Sequence, residues 1–162
     1  MKTAVVYYSL DGSTRQAARL IAQKAGADVY ELEEVKKRSG KPASFMAAAF
    51  GAIFGKKSRL KDNPAAKMGA YEKIYIGSPI WASRTVPALN TFVGALDAKD
   101  KDVVIFALQA DPNLTASEGI RKLASKLEAR GAKVSQMFCL HGEQPGKTAS
   151  EEHISAQIAK HI

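Results

Sequence analysis

The sequence is poor in several things that would narrow its chemistry. It holds one cysteine, Cys139, which excludes a disulfide framework and any zinc or iron–sulfur site built from several cysteines. Its three histidines, His141, His153 and His161, fall at no metal-ligand spacing, so no metal site is expected. There is no Gly-x-Ser-x-Gly elbow, which argues against a hydrolase. No apolar run approaches the roughly 18–20 residues of a membrane-spanning helix. The opening stretch, MKTAVVYYSLDG, passes from Lys2 directly into strand-like residues without signal-peptide anatomy. Together these absences predict a cytoplasmic protein with no transmembrane span.

What is present is an ordinary globular composition: 162 residues, 46% hydrophobic and 25% charged. That length predicts one domain over residues 1–162. The net charge of +8 is concentrated in one place. Eight basic residues and no acidic ones lie between Lys36 and Lys61, and the remaining sixteen basic residues balance the sixteen acidic ones. A nucleic-acid binder more often spreads its basic charge along a groove, so no nucleic-acid partner is expected.

Strand-like and helix-like runs alternate along the chain. Thr3–Ser9 is a continuous apolar run, as in a strand buried on both faces. Ser13–Ala25 carries Ala17, Leu20, Ile21 and Ala25 on one helical stripe, with Gly26 at the C-terminal cap. Asp28–Val35 alternates as an edge strand does, and Lys73–Pro79 reads as the third strand. A helix over Val86–Leu96 precedes Asp102–Leu108, the most apolar strand and therefore expected at the centre. Thr115–Glu118 is a capping box opening a helix that Gly131 closes, and Lys133–Leu140 is a fifth strand. A second capping box, Thr148–Glu151, opens a last helix striped by Ile154, Ile158 and Ile162. This alternation predicts a parallel sheet with helices on both faces. The stretch 36–70 exceeds a simple crossover, and its basic, Phe-rich middle (Phe45, Phe50, Phe54) reads as an inserted helix.

In doubly wound sheets, ligands bind beyond the carboxyl ends of the strands. Three loops qualify. Ser9-Leu10-Asp11-Gly12-Ser13-Thr14 joins a buried strand to a helix start, with a glycine for the turn and hydroxyl donors beside free N–H groups. Such a place suits a phosphate, although a plain Asp-Gly turn with Ser13 as N-cap accounts for the loop equally well. Ser78-Pro79-Ile80-Trp81-Ala82 puts the one tryptophan just past the third strand, to stack on a planar ring or to cover the core rim. Gln109-Ala110-Asp111 begins the third loop. The stretch Gly142–Thr148 resembles a phosphate-binding P-loop but is one residue short, and reads as a turn.

The Ser9-x-x-Gly12-x-Thr14 motif after the first strand, with Gly77-Ser78-Pro79-Ile80-Trp81 after the third, resembles the flavodoxin family. The resemblance spans essentially the whole chain. It implies an α/β, flavodoxin-like three-layer doubly wound sandwich: a five-stranded parallel sheet of order 2-1-3-4-5, with the extra helical insertion between strands 2 and 3. It further implies FMN as cofactor. The phosphate would sit on Ser9, Leu10, Gly12, Ser13 and Thr14, with Asp11 in the same cofactor-binding loop. Ser78, Pro79, Ile80, Trp81 and Ala82 would line the isoalloxazine, and Gln109, Ala110 and Asp111 would border its other side. The implied activity is electron transfer through FMN, either as an NAD(P)H-linked oxidoreductase or as a carrier for a redox partner, with no side chain acting as acid or base. Asp11 departs from the pattern, standing where many flavodoxins carry a threonine and adding a negative charge near the phosphate. Arg15 either offsets that charge or projects from a solvated helix face. The alternative reading is a flavin-free binding module that sets its basic 36–61 segment against an acidic partner or membrane surface.

Overall fold

The computed structural model describes residues 1–37, 56–80, 84–110, 118–143 and 147–162. Five strands form one parallel sheet: β1 (Thr3–Tyr7), β2 (Asp28–Glu31), β3 (Lys73–Pro79), β4 (Asp102–Gln109) and β5 (Lys133–His141). Their order is β2-β1-β3-β4-β5, as expected. The alternation of buried side chains along each strand divides the core into two layers.

On one face, Val5, Tyr7, Val104, Phe106 and Phe138 pack against α1 (Ser13–Ala25) and α4 (Glu151–Ile158). On the other, Ala4, Val6, Ile74, Ile76, Val103 and Ile105 pack against α2 (Pro87–Ala95), α3 (Glu118–Glu128) and the short 3-10 helix Pro64–Ala70. Helix α1 buries the Ala17, Ala18, Ile21 and Ala22 stripe, and Gly26 closes it in the left-handed conformation (φ 60°). Gly131 (φ 88°) ends the turn after α3 in the same way.

Four expectations need correction. The Asp28–Val35 strand breaks after Glu31, and residues 33–35 leave the sheet to pair antiparallel with the returning limb of the insertion. Val35 N–H donates to Arg59 O and Lys61 N–H to Glu33 O, both at 2.9 Å, so an edge strand finds its second partner in its own crossover. The middle position belongs to β3, not β4, because β1, β3 and β4 are all covered on both faces and apolarity does not rank them. Ser150, not Thr148, caps α4, accepting from His153 N–H at 3.2 Å. Ile162 lies beyond that helix and is 38% exposed, whereas Ile154 and Ile158 are fully buried. The Phe-rich middle of the insertion and Thr115 of the first capping box lie outside the described residues.

Tyr7 carries a pH consequence. Its hydroxyl donates to Glu31 Oε2 at 2.9 Å, and Arg15 forks onto the same carboxylate. Burial first, and the Glu31 carboxylate second, push the Tyr7 hydroxyl well above the ordinary tyrosine range. The unfolded chain therefore loses this proton near pH 10 while the folded protein keeps it, so the contribution to stability is full below about pH 10 and declines above it. Tyr7→Phe is expected to lower stability by about 1 kcal/mol at neutral pH and to shrink the alkaline decline. Denaturant unfolding at a series of pH values reads both; an alkaline decline equal to that of the unmutated protein would contradict the assignment.

Candidate functional site

Because all five strands run parallel, their carboxyl ends meet along one edge. The loops there are knitted together beyond the strands themselves. Tyr8 N–H donates to Gly77 O at 3.2 Å, Ile80 N–H to Leu108 O and Gly142 N–H to Gln109 O, both at 2.9 Å. Beside this stitching lies a half-open cavity of about 110 Å³. Leu10, Asp11, Ser13 and Thr14 come to it from the first loop, Pro79 and Ile80 from the second, and Gln109 and Ala110 from the third.

Three expected residues stand back from that cavity. Ser9 faces a neighbouring cleft of about 230 Å³ with Tyr8, Arg15 and Glu31, and Gly12 faces the outer side of α1. Ser78 is 2% exposed and turns its hydroxyl onto Pro79 O at 2.8 Å. Trp81, Ala82 and Asp111 lie outside the described residues.

The first loop is shaped by Gly12, the residue before α1, whose φ of 101° is strained for any residue with a side chain. A β-carbon there would also crowd Thr148 Oγ1 at 3.2 Å. The loop's own side chains meet its N–H groups: Gly12 N–H donates to Ser9 Oγ at 3.0 Å, and Ser13 N–H to Asp11 Oδ1 at 3.1 Å. Asp11 thus places a carboxylate at the positive end of α1, where an incoming anion would bind. Thr14 is 1% exposed and is the second residue of the first helical turn. The arrangement fits a phosphate, provided that the Asp11 carboxylate turns away.

Arg15 does not neutralise Asp11. Its guanidinium is committed to Glu31, with Nε–oxygen distances of 3.2 and 3.0 Å. The Glu31 partnership raises the Arg15 pKa further, against a lesser effect of burial. Ser13 is committed as well: Ala149 N–H donates to its Oγ at 3.0 Å, and that hydroxyl donates to Lys147 O at 3.3 Å. The Ser13 side chain therefore fastens the loop after β5, and its backbone N–H meets a ligand only once the Asp11 carboxylate turns away from it.

That β5 loop is the part of the site that sequence reasoning missed. Gly142 and Glu143 line the cavity, and Thr148 Oγ1 donates to Asp11 O. Leu108, the penultimate residue of β4, lines it too. The available signal was positional: the Gly142–Thr148 stretch follows a parallel strand, so it had to reach the same edge as the other three loops.

Comparison with known proteins agrees with this architecture. Among solved structures, a Bacteroides uniformis protein described as a flavoprotein superposes with a TM-score of 0.72 at 26% identity, over 98% of this chain and 97% of that one. A Lactobacillus acidophilus flavoprotein solved in complex with FMN gives 0.66 at 20% identity, over 85% and 92%. Oxidised flavodoxin 2 from Bacillus cereus gives 0.60 at 19% identity, over 98% and 96%. No curated protein matches significantly. The flavodoxin family profile matches residues 2–137, which span β1 through the middle of β5 and contain three of the four edge loops. With the 2-1-3-4-5 sheet and the glycine-turned loop at the start of α1, that match shows that the chain belongs to the flavodoxin family.

Proposed function

We propose that the protein binds FMN at the carboxyl edge of its sheet and transfers electrons through it. One observation carries the reading: the loops after β1, β3, β4 and β5 converge on one cavity whose wall is the amino end of α1. The Thr14 hydroxyl and the Ser13 backbone N–H, released as the Asp11 carboxylate turns away, hold the phosphate, and Ser9 and Gly12 shape the turn beneath it through the Gly12 N–H bond to Ser9 Oγ. Pro79, Ile80, Trp81 and Ala82 line one side of the flavin ring, and Gln109, Ala110 and Asp111 the other, with Ser78 stiffening the second loop from beneath. When bound, FMN supplies the redox chemistry, accepting one or two electrons. The chain positions it, limits water at its edge and sets the charge around it. No protein acid or base is required.

The neutral body and the basic excursion distinguish this chain from an acidic electron carrier, and favour an NAD(P)H-linked oxidoreductase over a protein-fed shuttle. The FMN-bound neighbour from Lactobacillus acidophilus supports the cofactor. No described helix is long and apolar enough to cross a membrane.

The test is a visible spectrum of the protein mixed with excess FMN and freed of unbound ligand, followed by anaerobic addition of NADH or NADPH. A retained flavin band that bleaches with either dinucleotide is the expected result. A retained band that neither dinucleotide bleaches would leave a carrier fed by a protein donor. A flat spectrum would refute the FMN reading.

A further inference from the structure

A groove of about 390 Å³ lies between α2 and α3, apart from the edge cavity. Val93 and Leu123 form an apolar floor, 5% and 3% exposed. Around it stand five cations, Lys57, Arg84, Lys122, Lys126 and Arg130, and no carboxylate lines it among the described residues. The cations come from separate stretches of chain on both walls, so the solvated face of one helix does not account for the grouping.

Their arrangement is built. Asn90 Nδ2 donates to Lys56 O at 3.0 Å, and Ser58 N–H donates to Thr91 Oγ1 at 3.1 Å. These bonds clamp both neighbours of Lys57 onto α2. A β-carbon on Gly94 would meet Lys57 Nζ at 3.1 Å, so the glycine leaves room for the ammonium to lie against the helix. Arg130 donates to Gly94 O at 3.2 Å and Leu96 O at 2.8 Å, which satisfies the end of α2 and fixes a guanidinium at the groove's far end. Lys122 and Arg84 both reach Glu118, at 2.5 and 3.8 Å. Lys57 and Lys126 form no ion pair among the described residues.

Like charges held together repel, and a bound polyanion relieves that repulsion. The volume falls within the range of small-molecule sites, about 300–1,000 Å³. The geometry points to a site for a small organic polyphosphate, such as a nucleoside diphosphate. The apolar floor takes the uncharged body of the ligand, and Lys57, Lys126 and Arg130 take its phosphates. Nothing in this assignment depends on flavin.

The experiment is calorimetric titration of the full chain, with and without saturating FMN, using ADP, inorganic pyrophosphate and adenosine. ADP and pyrophosphate are expected to bind equally well in both conditions, with affinity falling as salt rises, and adenosine is expected not to bind. Lys57→Glu combined with Lys126→Glu should weaken ADP at least about tenfold. Lys126→Gln alone should give a smaller loss if the double variant does not fold. Binding that disappears with FMN present would place ADP at the edge cavity and overturn the proposal. So would the absence of ADP binding at about 1 mM, or an affinity that neither variant changes.

Discussion

Gly77→Ala is expected to lower the unfolding free energy by about 3 kcal/mol, the upper end of what an added methyl does in a packed core. Gly77 sits in β3 directly opposite Phe106 of β4 and Tyr7 of β1, all on the face that α1 and α4 cover. The Phe106 ring lies across the glycine. A β-carbon at position 77 would come within 2.2 Å of its outermost carbon, and two more ring carbons would fall under 3.0 Å. The ring has little room to give, because Phe106 is fully buried and stacks on Phe138 with centroids 6.2 Å apart. Relief should therefore come from shrinking the partner. In a double-mutant cycle, Phe106→Leu should recover part of the loss, giving a coupling of about 1 kcal/mol or more. Strictly additive effects in denaturant unfolding would show that the clash is absorbed elsewhere.

Asp11→Asn is expected to tighten FMN binding about tenfold, by removing one negative charge from beside the phosphate. Without ligand, the asparagine oxygen can still accept from Ser13 N–H as the carboxylate does, at 3.1 Å, so the unliganded loop should keep its shape, and the neutral side chain yields that N–H to the phosphate without repelling it. Arg15 offers no counterweight, since Glu31 already holds its guanidinium. Fluorescence titration of FMN into the two proteins measures the change, with thermal unfolding to check that the fold is unaffected. Unchanged or weaker binding by Asp11→Asn would mean that the carboxylate does not face the phosphate.

How far the sequence could be read varied from element to element. The bounds of α1 and β3 were legible to the residue, because an apolar stripe or run ends there at a glycine or proline. The sheet order followed from strict strand–helix alternation with the flavodoxin-like loops. Four things were not legible, each because a distant partner decides it. Thr148 looks like a cap by local spacing, yet its hydroxyl reaches Asp11 O, 137 residues away in sequence. Ser13 looks like an N-cap and instead holds Ala149. The break in β2 depends on limb 59–61 returning to pair with 33–35. Lys57 reads as one charge in a basic run, and only Asn90 and Thr91 show that it is placed against α2.

On the proposed function, the loop at the start of α1 is a phosphate cradle. Parallel titrations of the protein with FMN and with riboflavin test it most directly, because the two ligands differ only in that phosphate. A cradle built from the Ser13 N–H and the Thr14 hydroxyl at the amino end of α1 predicts that FMN binds about a hundredfold more tightly than riboflavin. Equal affinities would contradict the account, since the flavin would then owe nothing to the loop on which the reading rests.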